Sequence, residues 1–150
     1  MFGNDILLTD GSLDRAELRQ RVFSEPSERQ WLEQLTHPLI GQTIFDRLSA
    51  PKRPDEPDYR ILESPLLMET VQKDLAHRLL LIDVPVATQI SRTVSRDNNT
   101  EQQVKAIIDA QMPRGEKLKL ADDIIDNTQS LENLKNSVSQ LHKNYLELGK

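Results

Sequence analysis

Leu79-Leu80-Leu81-Ile82-Asp83-Val84-Pro85 is a continuous apolar run closed by an acid and a proline. Apolar residues in succession, without alternation, imply cover on both faces, which is the condition of a strand inside a parallel sheet. Parallel neighbours cannot be joined by a tight turn and need a crossover, usually helical. The run therefore suits an α/β fold. Two further stretches read as strands: Tyr59 to Leu62, closed by Ser64-Pro65, and Ile124-Ile125, set between Asp122-Asp123 and Asp126-Asn127. Helical patterns separate all three, giving a βαβ rhythm.

The helices announce themselves by caps and by apolar spacing. Asp10-Gly11-Ser12 is a turn signal, and Ser12 is the expected N-cap of a helix carrying Leu13, Leu18 and Val22. Ser24-Glu25-Pro26 breaks it, and Ser27 with Gln30 forms a capping box for the next. Trp31, Leu35, Leu39, Ile40, Ile44 and Leu48 continue that helix, with a break or kink expected at His37-Pro38. Pro51 to Pro57 is a polar, Pro-rich loop. After the long apolar run, Ile90 and Val94 mark one helix face, while Arg92 and Arg96 share another. Thr100 and Gln103 predict a capping box for a helix through Val104, Ile107 and Ile108. Ser130 is the expected cap of a last helix whose stripe of Leu131, Leu134, Val138, Leu141, Tyr145 and Leu148 reads as core packing.

Composition narrows the function classes. The 150 residues fit one compact domain, and the formal charge of -5, spread without blocks, argues against nucleic-acid or anionic-membrane binding. An anionic small molecule stays possible, because a local arginine cluster can serve it within an acidic protein. Cysteine is absent, which removes disulfides, thiolate metal sites and cysteine nucleophiles. The N-terminus has no signal-peptide pattern and no stretch reaches membrane-spanning length, so a soluble, cytoplasmic protein is expected. No metal-ligand spacing is present. Composition does not indicate an oligomeric state.

Ordered short signatures then carry a resemblance. Phe2-Gly3 leads to Asp10-Gly11-Ser12-Leu13-Asp14-Arg15 and Leu18, then Val22-Phe23. Trp31-Leu32-Glu33 precedes His37-Pro38-Leu39-Ile40, and Pro65-Leu66-Leu67 with Glu69 follows the first expected strand. Asp83 and Pro85 lead to Gln89-Ile90, Arg92 and Arg96. Glu101-Gln102, Gln111, Ala121-Asp122-Asp123, Ile125 and Asn127 come next, and Leu141-His142 with Tyr145-Leu146 closes the series. Together these resemble the dephospho-CoA kinase family from Phe2 to Leu148.

The resemblance implies a P-loop kinase-like parallel sheet with a helical substrate-binding insertion, here Leu13 to Ala50, and a helical lid, here Arg92 to Lys117. It implies transfer of the ATP γ-phosphoryl group to the ribose 3′-hydroxyl of dephospho-CoA, the last step of CoA synthesis. Family members also begin with a strand and a G-x-x-x-x-G-K-[ST] loop, then a strand bearing an acidic base. None of the five glycines here stands in such a motif. The chain therefore resembles the C-terminal part of the family, with the N-terminal strands missing. The expectation follows that these 150 residues alone are inactive and poorly stable, with Mg²⁺ held mainly by ATP and by absent residues. A non-catalytic helical interaction module and a different P-loop nucleotide kinase are the alternative readings.

Site residues follow from the same resemblance. Arg92 is the expected catalytic contact to ATP phosphates, since a guanidinium fork suits phosphate oxygens. Arg96 is a second ATP contact or an ion-pair partner of Asp97 or Glu101, and Arg114 and Lys117 close the lid range. Asn127 is the expected adenine-side residue, with turn formation as its plainer role. Arg15, His37, Pro65, Leu66 and Leu67 are the expected substrate-side residues. Arg15 could instead pair with Asp14 or Glu17, and His37 is expected to be buried or capping. Glu69 reads as polar support, His77 and His142 as surface or packing residues, and Asp122-Asp123 as a solvent-facing strand cap.

Overall fold

The computed structural model describes residues 2–97 and 99–148. The chain divides into two units, Met1–Asp55 and Glu56–Lys150.

The first unit is helical. A short 3-10 turn, Gly3–Ile6, leads into a tight loop closed by an antiparallel bridge between Leu7 and Leu13. Gly11 turns that loop with φ of 80°, a conformation that favours glycine. Helix α1, Arg15–Ser24, is capped by Asp14, whose carboxylate accepts from the amides of Ala16 and Glu17. Ser12 does not take that role, because its amide and hydroxyl are both spent on Asp10.

Helix α2, Pro26–Ser49, packs on α1. It starts on Pro26, whose fixed φ and missing N–H suit the first helical turn, so the expected Ser27 capping box does not form. Of the break or kink expected at His37-Pro38, the break is absent: Pro38 lies inside a continuous helix. Proline deprives the Gln34 carbonyl of its donor, but this face of α2 is exposed and water can satisfy it. Phe2 is buried against Trp31, with ring centroids 5.4 Å apart and edge to face.

The second unit carries the sheet. Strand β1, Leu80–Asp83, pairs in parallel with β2, Asp123–Asp126, with Leu80 beside Asp123 and Asp83 beside Asp126. Between them run α3 (Val86–Asp97), α4 (Glu101–Asp109) and α5 (Arg114–Leu120). Helix α6, Leu131–Leu148, follows β2 and packs against it. The Thr100–Gln103 capping box forms as the sequence predicts. Ser130 accepts from the Asn133 amide at 3.2 Å and so caps α6.

Tyr59–Leu62, expected as a strand, is not one. A strand is defined by its ladder, and this segment lies beside none among the described residues. Its Tyr59 instead bonds His142 Nδ1 at 2.6 Å and meets the Tyr145 ring edge-on. Met68, Val84, Val104 and Ile125 form the buried apolar core of this unit.

Candidate functional site

In parallel sheets ligands collect at the carboxyl ends of the strands. Here that end is formed by Asp83, closing β1, and Asn127, one residue past β2. The Asn127 amide donates to the Asp83 carbonyl at 2.9 Å, which carries the ladder one step beyond the strands. Arg114, first residue of α5, reaches back with its guanidinium fork, placing Nε 2.7 Å from Asp83 Oδ1 and Nη2 on Oδ2. A cavity of about 480 Å³ opens beside this pair, with Ile82, Val84 and Met112 among its apolar walls and Gln89, Arg114 and Lys117 as polar groups. Gln89 is held there by bonds from its side chain to the Val84 carbonyl (3.1 Å) and from its amide to Pro85 (3.0 Å).

Pro65 and Leu66 form a turn that leads into the 3-10 helix Leu67–Glu69, with the Leu67 amide bonded to Ser64 at 3.2 Å. Met68 anchors this segment in the core, so Glu69 points where Lys117 Nζ stands, 3.1 Å from its Oε1. Lys117 also donates to Gln111 Oε1 at 3.1 Å.

The arginines of α3 differ in what they touch. Arg92 is exposed and has no polar partner among the described residues. Arg96 is taken up by its neighbour, with Nε and Nη2 each 2.6 Å from an oxygen of Asp97. That hydrogen bonding holds the Asp97 carboxyl below its ordinary range. Asn127 is half-buried, and the turn after it is closed by the Thr128 amide on Asp126 at 2.8 Å.

In the first unit, Arg15 opens α1 and is exposed. It pairs with neither Asp14, which caps the helix, nor Glu17, which binds Arg21 at 2.9 Å. His37 is exposed in the middle of α2 and so is neither buried nor a cap, because the helix continues through Pro38.

The expected solvent-facing Asp122-Asp123 cap is corrected in part. Asp122 does bond the Leu79 amide at 2.8 Å, but Asp123 is half-buried under Arg78 and Tyr145.

The structure therefore brings Asp83, Arg114, Lys117, Glu69 and Gln89 together, whereas the sequence puts Arg92, Arg96 and Asn127 first, with Arg114 and Lys117 at the end of the lid and Glu69 as polar support. The signals available were an acid ending an apolar strand and two cations three apart on α5, which share a helix face. Neither signal names its partner, because the pairs form across long sequence separations. Among the described residues no group of three His, Cys, Asp or Glu could hold a metal ion, and no helix is long and apolar enough to cross a membrane.

Comparison with known proteins adds what geometry alone does not. The dephospho-CoA kinase family model matches residues 1–133. A dephospho-CoA kinase of Hahella chejuensis is 49% identical over 147 residues, covering 98% of this chain and 69% of the relative. One from Shewanella oneidensis is also 49% identical, over 98% of this chain and 70% of its own length. A crystallised Thermus thermophilus protein superposes with a TM-score of 0.72 at 32% identity, over 92% of this chain and 70% of that one. Dephospho-CoA kinase from Campylobacter jejuni superposes with a TM-score of 0.59 at 26% identity, over 93% and 68% of the two chains. The chain belongs to the dephospho-CoA kinase family, phosphotransferases of CoA biosynthesis with a P-loop kinase fold.

Proposed function

We propose that the chain supplies the substrate-holding and lid parts of a kinase that transfers the ATP γ-phosphoryl group to the 3′-hydroxyl of dephospho-CoA. The helices α1 and α2 serve as the substrate-holding insertion, and the stretch from Arg92 to Lys117 as the lid. The observation that carries this reading is the relationship to dephospho-CoA kinases along 98% of the chain.

The residues fit the chemistry in a graded way. Phosphoryl transfer depends on positioning and on neutralising charge on phosphate oxygens. Arg92 is exposed and its fork is unengaged among the described residues, so it can meet an anion without breaking a contact with any of them. Arg96 would first have to leave Asp97. Asn127 stands at the carboxyl end of β2, where it can meet the adenine side of the nucleotide. Arg15 and His37 are exposed on the helices assigned to dephospho-CoA, and the Pro65-Leu66-Leu67 turn is assigned to the acceptor side. Among the described residues no group of three His, Cys, Asp or Glu is placed to hold Mg²⁺.

Trp31 is the sole tryptophan and sits on α2, which makes it a reporter of the insertion. Dephospho-CoA is expected to change its fluorescence saturably, and pantothenate to leave it unchanged. No saturable response to dephospho-CoA would overturn the assignment of the insertion.

A further inference from the structure

We propose that Lys117 is a positioning residue that couples the turn Pro65–Glu69 to the lid arm ending at Gln111, through one ammonium group. The coupling rests on the proposed function only in naming that turn the acceptor side and that arm the lid.

An ammonium group has three N–H donors and can hold two acceptors from different elements at once. Lys117 Nζ engages two elements in this way, donating to Gln111 Oε1 at 3.1 Å and forming an ion pair with Glu69 Oε1 at 3.1 Å. Glu69 closes the 3-10 helix that begins at Leu67, and Gln111 lies just beyond α4, before Pro113, the residue that precedes α5. Neither contact is a loose surface pair: the Lys117 and Glu69 side chains are only 18% and 19% exposed. Removing one charge of such a pair leaves the other poorly solvated, so the two segments are held to a common position.

The Glu69 contact also has slack in it. Oε1 is shielded from solvent and lies within ion-pair distance of Nζ, yet accepts no well-aligned hydrogen bond among the described residues. It is held by charge at an angle that a small shift of the turn or the arm would improve. Displacing the turn at one side of Nζ therefore changes the alignment available at the other. Arg114, one helical turn earlier on α5, is fixed to Asp83, so α5 is anchored to the sheet independently of the residues before Pro113.

Amide hydrogen exchange on the full chain tests this. Without ligand, Lys117→Met is expected to speed exchange at residues 65–70 and 110–113 together, each about tenfold, the scale of losing one hydrogen-bonded restraint. Lys117→Arg keeps the charge and the donors and restores both. Glu69→Gln, which leaves the Gln111 bond in place, speeds the first segment alone. Speeding of one segment only in Lys117→Met, or equal loosening of β2 and α6, overturns the coupling.

Dephospho-CoA gives a second arm, with Trp31 fluorescence reporting binding separately. Bound ligand is expected to protect residues 101–113 in the wild type and not in Lys117→Met; protection that persists in the variant overturns the coupling. If Trp31 shows no binding, the proposed function fails while the ligand-free arm still decides the coupling.

Discussion

Arg78 lays its guanidinium fork along the Asp123 carboxylate, with Nε 2.8 Å from Oδ2 and Nη2 3.1 Å from Oδ1. Tyr145 donates its hydroxyl to the same Oδ2 at 2.8 Å, which ties α6 to the first residue of β2. The carboxylate is thus shared between a loop cation and a helix phenol. The Arg78 hydrogen bond, with help from Tyr145, holds Asp123 below the usual carboxylate range although burial opposes it.

Burial first, then the bond to Asp123, pushes the Tyr145 phenol up from 10.0 to about 12. A raised value in the folded state means that the neutral phenol is favoured by folding. The stabilisation is therefore complete below pH 10 and is lost as pH rises towards about 12. With two tyrosines in the chain, absorbance titration is expected to show one ionising near the upper value, and Tyr145→Phe to remove that step. Loss of the hydrogen bond to a charged group should also cost about 1–2 kcal/mol in a urea melt near neutral pH.

Ile125 is 4% exposed and its neighbour Ile124 is 50% exposed on the same strand. Ile125→Ala is expected to cost about 3 kcal/mol by opening a cavity in the core, and Ile124→Ala less than about 1 kcal/mol. Equal shifts in urea midpoint for the two variants would contradict the burial difference.

Arg92 and Arg96 look equivalent by spacing, yet among the described residues Arg96 is bound to Asp97 and Arg92 has no polar partner. Arg92→Ala is expected to weaken ATP affinity about tenfold, the scale of one charge-assisted hydrogen bond, and Arg96→Ala to change it less than about twofold. Titration calorimetry with both variants reads the difference directly, and a larger loss for Arg96→Ala would reverse the assignment.

Thr100 accepts from the Gln103 amide while the Gln103 side chain returns to the Thr100 amide. Thr100→Ala is expected to cost about 1 kcal/mol through loss of this cap. Ser27→Ala is expected to be nearly silent, since α2 starts at Pro26 without a side-chain cap. Thermal melts of the two variants give the comparison.

These caps show which parts of the fold could be read from the chain. Thr100 and Gln103 succeed because both partners lie within one turn and nothing else competes for them. Ser12 fails because Asp10, two residues away, claims its hydroxyl and amide first. The strand at Leu80–Asp83 was legible because burial on both faces leaves an unbroken apolar run. Tyr59–Leu62 has a similar pattern, but strand character is settled by a neighbour's backbone, which no local pattern contains. Pro38 does not end its helix for a related reason: its local cost is one hydrogen bond, and an exposed site on a long helix packed against α1 absorbs it. The site suffered most, because Asp83–Arg114 and Glu69–Lys117 are pairs between elements distant in sequence. Each residue alone reads as an ordinary surface charge.

The parallel pairing of β1 with β2 has one more consequence. Every residue of α3, α4 and α5 lies between the two strands, so the proposed lid is itself the connection that makes the ladder possible. Chain entropy must be surrendered over that whole span before the first inter-strand bond forms, whereas the capped α4 can form early from local contacts. Shortening the lid would thus change how the sheet assembles as well as what covers the ligand, and the two roles cannot be trimmed independently.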